Sequence, residues 1–375
     1  MSNKIPYDRR QPYNKLPLLP PPDSKILTIK VLMALNKANR ALAELKGLAQ
    51  KLPNQSMLIN TLALREAKAS TEIENIFTTD DELYKALSEE LKNVSALKGG
   101  AKEVLHYREA LWRGYAHLKK QNAFSQSVLI DVYQQVQQTS DGIRPPQTET
   151  VIKKRGSGNL GGTVIYTPPR GQKLIEGLLK NLFLYLNDDK KYDHDPLIKL
   201  AVAHYQLEAI HPFRDGNGRC GRIVNSLLLV QKRLLEVPIL YLSAYIINNK
   251  DDYYFCLNGV TTRSDWQSWL LYMLKAVEET SVYTIQLIKD IDSLFKNTAE
   301  LVSKRLPHVP QEVLEKIFEQ PYISPKRLMS ARIKSLNTAK KYLQQMEKLR
   351  IMLPKKVGKE VIYLNVDLFN LLSEA

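Results

Sequence analysis

The sequence predicts a mainly α-helical protein: a helical bundle with one short β-hairpin flap, followed by a small C-terminal winged helix-turn-helix domain. Three observations predict it. From about residue 25 to about residue 297, successive segments such as PLIKLAVAHYQLEAI and IVNSLLLVQKRLL repeat apolar residues at i, i+3, i+4 and i+7. That spacing lays a single apolar stripe along a helix. One segment breaks the pattern. VIKKRGSGNLGGTVIYTPPRGQ, residues 151–172, sets glycines ahead of TVIYT and Pro-Pro after it, the punctuation of a short hairpin or flap. Residues 300–375 then read as three helices ahead of a basic alternating stretch, LPKKVGKEVIYLNVD, which is the order of a winged helix-turn-helix.

The elements follow in chain order. Residues 1–24 end in LPLLPPPDS; prolines this dense exclude a helix interior and give an extended arm. Asp23 or Ser24 then stands where an N-cap would start a long helix running to about Leu48. Further helices are expected over LIDVYQQVQQT, LIEGLLKNLFLYLND and DWQSWLLYMLKAVEETSVYTIQLIKDIDSLF. In the C-terminal part the helices are PQEVLEKIFEQ, SPKRLMSARI and NTAKKYLQQMEKLRIM, and the hairpin turns around Lys355, Lys356 and Gly358.

Composition narrows the function classes. A chain of 375 residues has room for two or three domains. No apolar run reaches the roughly 18 residues of a membrane span. The opening MSNKIPYDRR has neither an apolar core nor a cleavage site, so no signal peptide is expected. The two cysteines, Cys220 and Cys256, form no CxxC pair and fit a reducing, cytoplasmic setting. A net charge of +15 favours anionic partners, whether nucleotide, nucleic acid or acidic protein; a merely solvated basic surface is the alternative.

The chemistry concentrates in AIHPFRDGNGRCGRIVN, residues 209–225. Asp215-Gly216-Asn217-Gly218-Arg219 joins a helix ending near Ile210 to one starting near Gly221. Glycines let backbone N–H groups approach an anion, and the new helix adds its own free N–H groups and positive dipole end. Arg219 and Arg222 lie three apart, on one helix face, where both can reach a polyphosphate. Asp215 is a hard oxygen ligand suited to Mg²⁺. The Walker pattern GxxxxGK[ST] is absent. His211, just ahead of Pro212, stops the preceding helix and is placed to take a proton from a hydroxyl attacking phosphorus. His106, His117, His194, His204 and His308 show no ligand spacing, and His204 reads as a packing residue.

HPFRDGNGRCGR matches in full the signature of the Fic family, His-Pro-Phe-x-Asp/Glu-Gly-Asn-Gly-Arg-x-x-Arg. The resemblance extends over residues 20–290 and is to larger bacterial Fic proteins with a helical N-terminal region and a C-terminal winged helix. It implies an arm over residues 1–24, an N-terminal helical region over 25–110, a catalytic core over 111–297 and the winged domain over 298–375. It implies transfer of AMP from ATP, with Mg²⁺, to a Ser, Thr or Tyr hydroxyl of a protein, releasing pyrophosphate. In that reading His211 is the general base and Asp215 the Mg²⁺ ligand. Gly216, Asn217 and Gly218 form the anion nest, Arg219 and Arg222 clamp phosphates, and Cys220 and Gly221 complete the ATP-binding stretch. Arg214 occupies the variable position and receives no role. Val164, Ile165 and Tyr166 resemble the flap that docks the target chain as an added strand, and Tyr253 and Tyr254 resemble the tyrosines that flank adenine.

Upstream, Ser70-Thr71-Glu72-Ile73-Glu74-Asn75 matches the family's inhibitory pattern [Ser/Thr]-x-x-x-Glu-[Gly/Asn]. A carboxylate on Arg222 would form a bidentate pair and put negative charge where the triphosphate belongs. Glu74 takes that role in the pattern; Glu72, two positions away, faces another side of a helix. Alternatives stay open. Some Fic relatives transfer phosphate, UMP or phosphocholine, and in some the inhibitory glutamate also helps to remove AMP. From another class, residues 300–375 carry Lys326, Arg327, Arg332, Lys334, Lys340, Lys341, Lys355, Lys356 and Lys359, as a DNA-binding regulator would. Homodimer formation is compatible with the many amphipathic helices.

Overall fold

In the computed structural model, residues 7–50, 55–89, 99–154, 163–330, 332–357 and 360–373 are described. Residues 1–6, residues 155–162 with the glycines of the expected flap, and Gly358 and Lys359 lie outside them. The chain is mainly helical. In order it runs α1 (Asp23–Ile26), α2 (Ile29–Gln50), α3 (Gln55–Ile73), α4 (Asp80–Glu89), α5 (Gly100–Gln121), α6 (Gln126–Gln137), β1 (Ile152–Lys154), β2 (Thr163–Tyr166), α7 (Gln172–Asn187), α8 (Pro196–Ile210), α9 (Asn217–Gln231), α10 (Leu242–Asn248), α11 (Lys250–Arg263) and α12 (Trp266–Arg305). The C-terminal part adds α13 (Gln311–Phe318), β3 (Tyr322–Ile323), α14 (Pro325–Leu328), α15 (Leu336–Lys348), β4 (Met352–Val357), β5 (Glu360–Asn365) and α16 (Val366–Ser373). Two compact units divide the chain: residues 1–43, 106–238 and 242–279 form one, and residues 44–105, 239–241 and 280–375 the other.

The first unit is organised around α8. Its sequence, PLIKLAVAHYQLEAI, is apolar on nearly every side, and residues from Leu197 to Leu207, then Ala209 and Ile210, are buried. A helix apolar all round belongs in a core. It starts on a full cap: the Asp195 carboxylate accepts the Leu197 N–H at 2.8 Å, with Pro196 in the first turn. α7 and α9 pack on it. Trp269 from α12 is buried and donates its indole N–H to the Ala201 carbonyl at 2.8 Å.

Residues 7–22 contain neither helix nor strand and are bonded to the flap region. Tyr13 N–H donates to the Thr167 carbonyl at 3.0 Å, and Thr167 Oγ1 donates to the Arg9 carbonyl at 2.7 Å. One expectation is corrected here. Asp23 does not cap the long helix: α1 is a single turn preceded by Pro22, and the long helix begins at Ile29. Thr28 takes the capping place, its Oγ1 accepting the Val31 N–H at 3.4 Å.

In the second unit the three-stranded antiparallel sheet has the order β3-β5-β4. The basic hairpin pairs Met352 with Asn365 and Val357 with Glu360. SPKRLMSARI, expected as a full helix, is helical only over Pro325–Leu328. α15 follows, burying Ala339, Leu343 and Met346 on one face. Lys355 of the hairpin lies 3.2 Å from Asp81 of α4 and donates to the Tyr322 hydroxyl at 3.0 Å; that hydroxyl in turn donates to Asp81.

Candidate active site

The loop between α8 and α9 is held from several sides. α8 ends at His211, whose backbone is left-handed (φ 50°, ψ 60°) and whose N–H returns to the Leu207 carbonyl at 3.0 Å. A left-handed conformation costs a non-glycine residue roughly 1–2 kcal/mol, so its neighbours must impose it. Arg144, buried at 2% exposure, donates Nε–H to the His211 carbonyl at 2.8 Å and its own N–H to the Pro212 carbonyl at 2.9 Å. Phe213 is buried and stacks parallel on Tyr133 of α6, ring centroids 3.9 Å apart. Asn217 closes the turn, accepting the Phe213 N–H at 2.9 Å and donating to the Phe213 carbonyl at 3.0 Å.

Gly216 then starts α9 as a left-handed N-cap (φ 75°, ψ 9°). A side chain there would be strained and would collide with the Gln137 amide. The first helical bond runs from Cys220 N–H to the Gly216 carbonyl at 3.0 Å, leaving the N–H groups of the first turn outside the helical ladder. Arg219 and Arg222 rise one turn apart from this end, and both are buried. The Arg219 guanidinium lies 3.8 Å from the Asp215 carboxylate, whose side chain is 82% exposed and also accepts from Gln137 Nε2 at 3.3 Å. Gly221 has no room for a side chain, which would meet the Glu208 carboxylate and the His204 ring. Arg214 is exposed.

Local electrostatics follow from burial. Cys220 is enclosed, and its thiol is pushed up to about 12, so it stays a neutral packing group. His204 is pushed down to about 3 by its burial and then by the positive Arg222 nearby. Its ring bonds the Tyr253 hydroxyl at 2.9 Å and the Asn225 amide at 3.1 Å, and lies parallel to Trp269.

The flap expected over residues 151–172 is present as β1 and β2, antiparallel, with Ile152 opposite Tyr166, Lys153 opposite Val164, and a register shift between Ile152 and Lys153. Val164 and Ile165 are half-buried, while Tyr166 is buried and donates to the Ala209 carbonyl at 2.7 Å. The tyrosine pair on α11 is split. Tyr253 is 2% exposed within a cluster with Trp269 and Tyr272, whereas Tyr254 is 41% exposed. Of the two expected to flank a base, Tyr253 is a core residue here, because its hydroxyl and ring are taken up by His204 and Trp269.

In the second unit, α3 ends in a Schellman cap. Ile76 N–H bonds the Thr71 carbonyl at 3.1 Å and Asn75 N–H bonds the Glu72 carbonyl at 2.9 Å, around Asn75 in the left-handed region (φ 61°). That gives the Gly/Asn position of the inhibitory pattern a physical basis, since these residues adopt such a backbone with least strain. Glu74 is the helix-terminal residue and exposed. Glu72 lies 3.8 Å from Lys68, which also binds Asp80 at 2.8 Å. Ser70 and Thr71 are buried, and Thr71 donates to the Lys68 carbonyl at 2.8 Å.

Sequence reasoning did not identify Tyr133, Gln137 or Arg144. Each lies 67 or more positions from its partner in the loop, so no local pattern marks it.

A helical core carrying a glycine-rich connector and a two-stranded flap is the architecture of the Fic fold. Models of the Fic/DOC family match residues 123–229, of the Fic/DOC family N-terminal region residues 32–116, and of the protein adenylyltransferase SoFic-like C-terminal domain residues 294–368. The chain belongs to the Fic/DOC family. It is 29% identical over 165 residues to protein adenylyltransferase fic-1 of Caenorhabditis elegans, covering 43% of this chain and 30% of that protein. It is 27% identical over 190 residues to a protein of Aquifex aeolicus named probable protein adenylyltransferase aq_aa38, covering 50% of this chain and 54% of that one. The matched stretches thus span about a third to a half of these relatives' lengths. Among solved structures, a Fic family protein from Desulfovibrio desulfuricans superposes with TM-score 0.53 at 17% identity, over 90% of this chain and 96% of that one. Fic-1 from C. elegans does so with TM-score 0.52 at 21% identity, over 69% and 74%. These likenesses concern the fold.

Proposed function

We propose that this protein is an adenylyltransferase that moves AMP from ATP onto a Ser, Thr or Tyr hydroxyl of a protein and restrains itself through Glu74. The observation that carries the reading is the start of α9. A glycine-capped helix end, followed within two turns by the buried guanidiniums of Arg219 and Arg222, is suited to a polyphosphate and to little else. The names of the relatives point to the same transfer.

The chemistry balances as follows. The target hydroxyl oxygen bonds to the α-phosphorus, the bridging bond from that phosphorus to the β-phosphate oxygen breaks, and pyrophosphate leaves. The hydroxyl proton passes to the imidazole of His211, worth roughly 10²- to 10⁴-fold as general base catalysis. Arg219 and Arg222 hold the phosphates and offset charge on the departing pyrophosphate. The exposed Asp215 carboxylate fits an ion that arrives with its nucleotide. Mg²⁺ would supply charge neutralisation on the phosphates. Tyr254 is the exposed aromatic left to meet adenine, and Val164, Ile165 and Tyr166 would receive the target backbone. Glu74 would restrain the reaction by pairing with Arg222.

The test is the fate of each phosphate. Protein incubated with α-labelled ATP and Mg²⁺ should retain label, most clearly as the Glu74→Gly variant, and protein incubated with γ-labelled ATP should retain none. Retention of γ-label instead would assign phosphate transfer and reject adenylyl transfer.

A second reading concerns residues 300–375. Lys326, Arg332, Lys334, Lys340, Lys341 and Lys356 are exposed, which favours contact with nucleic-acid phosphates. Lys355 is already engaged with Asp81. Salt-dependent retention of the protein on duplex DNA, weakened in Lys340→Ala/Lys341→Ala, would support it; no retention at low salt would end it.

A further inference from the structure

Arg144 stands out among the buried charges. It is 2% exposed, and burial alone lowers its pKa from the usual guanidinium range. Its guanidinium donates to carbonyl oxygens: Nε to His211 at 2.8 Å and Nη2 to Pro169. A buried guanidinium is costly, and its fixed fork suits it to joining two acceptors on different segments. Here the two segments carry the chemistry. His211 is the left-handed residue (φ 50°) that ends α8 and carries the imidazole of the proposed site. Pro169 lies three residues beyond the last flap strand, at the flap's return into α7. Arg144's own N–H adds a third bond, to Pro212 at 2.9 Å. A second tie runs beside the first, since Tyr166, the last residue of β2, donates its hydroxyl to Ala209 at 2.7 Å. Two carbonyls at the end of α8, those of Ala209 and His211, are therefore pinned to the flap's exit, and Arg144 holds the one belonging to His211.

We propose that Arg144 is a positioning residue that fixes the flap, and with it the target hydroxyl, at a set distance and angle from His211. The inference rests on the adenylyl-transfer reading of the site. It touches no phosphate-binding group, so nucleotide affinity is separable from it. Lysine at this position can donate to one of the two carbonyls but not to both in the planar arrangement of the fork. A misplacement of about 1 Å between reacting groups costs on the order of 100-fold in rate.

The experiment compares Arg144→Lys and Arg144→Met, each in the Glu74→Gly protein, with that parent. Three quantities are read: kcat and KM for a protein target, ATP affinity by calorimetry, and amide hydrogen exchange of residues 163–167. The expected result is kcat/KM reduced about 100-fold in Arg144→Met and by a smaller factor in Arg144→Lys. ATP affinity stays within about two-fold, and flap amides exchange at least about tenfold faster than in the parent. Unchanged exchange, or faster exchange with unchanged kinetics, overturns the proposal. So does a loss of ATP affinity matching the loss of activity, which would mean general damage to the fold. If Arg144→Met fails to fold, Arg144→Lys carries the comparison. A parent that transfers nothing refutes adenylyl transfer itself, and the exchange measurement then decides the tie alone.

Discussion

Two helix ends in this molecule carry its proposed chemistry, and they are built in opposite ways. α8 ends at His211, itself left-handed, and α3 gives way to Glu74, which precedes the left-handed Asn75. At the first end, the turn is braced by side chains from α6, α9 and the segment around Arg144, with Phe213 stacked and Asn217 bonded to both sides of it. At the second, the backbone bonds of a Schellman cap shape the turn, and Glu74 stands exposed. A proton acceptor must hold one geometry through every turnover, which demands bracing from many elements. A brake must be able to leave, and a backbone cap shapes the turn that carries Glu74 without drawing on distant elements.

That comparison can be broken in steps. Phe213→Ala should have the largest effect: it empties a buried ring site and removes the stack on Tyr133, costing about 3–5 kcal/mol in chemical denaturation and abolishing transfer. Asn217→Ala should cost about 2 kcal/mol, because the buried Phe213 N–H and carbonyl lose their partner; a loss below about 0.5 kcal/mol would show the loop does not depend on that clip. The third effect is on pH. His204 has a folded pKa of about 3 against an ordinary value of 6.5. It is neutral in both states above about pH 6.5. As the pH falls below that, the unfolded chain takes up a proton the folded one refuses, so stability is lost towards pH 3 at up to about 1.4 kcal/mol per unit. Urea denaturation at pH 7 and pH 5 should show this slope, and His204→Gln should flatten it. The smallest effect belongs to the cap: Asn75→Ala should cost about 1 kcal/mol and raise basal transfer, whereas Asn75→Gly should keep stability within about 0.5 kcal/mol.

The two ends also differ in how far the sequence announced them. The Asp215–Arg222 stretch and the turn at Asn75 are local: glycine, asparagine and pre-proline positions state their own backbone preferences. So do the apolar run of α8 and the flap strand TVIYT. Tyr133, Gln137 and Arg144 were silent, because each acts across 67 or more positions and gains its role only once α6, α8 and the flap exit are adjacent. Asn217 was expected in the anion nest through the family resemblance. Its side chain also serves the turn, using both of its amide atoms, and its backbone N–H lies at the helix start. The start of α2 misled for a related reason. Residue type marks a capping candidate, while tertiary packing decides whether Thr28 or Asp23 begins the helix.

The central claim is that a fixed base and a removable brake act on one transfer. It is tested most directly by the initial rate of label transfer from α-labelled ATP with Mg²⁺, measured for wild type, Glu74→Gly, and Glu74→Gly combined with His211→Ala. The account predicts weak transfer in wild type, a rise of at least about tenfold on removing Glu74, and a fall of roughly 10²-fold or more when His211 is also removed. Equal rates in the single and double variants would contradict His211 as the base, and equal rates in wild type and Glu74→Gly would contradict Glu74 as the brake.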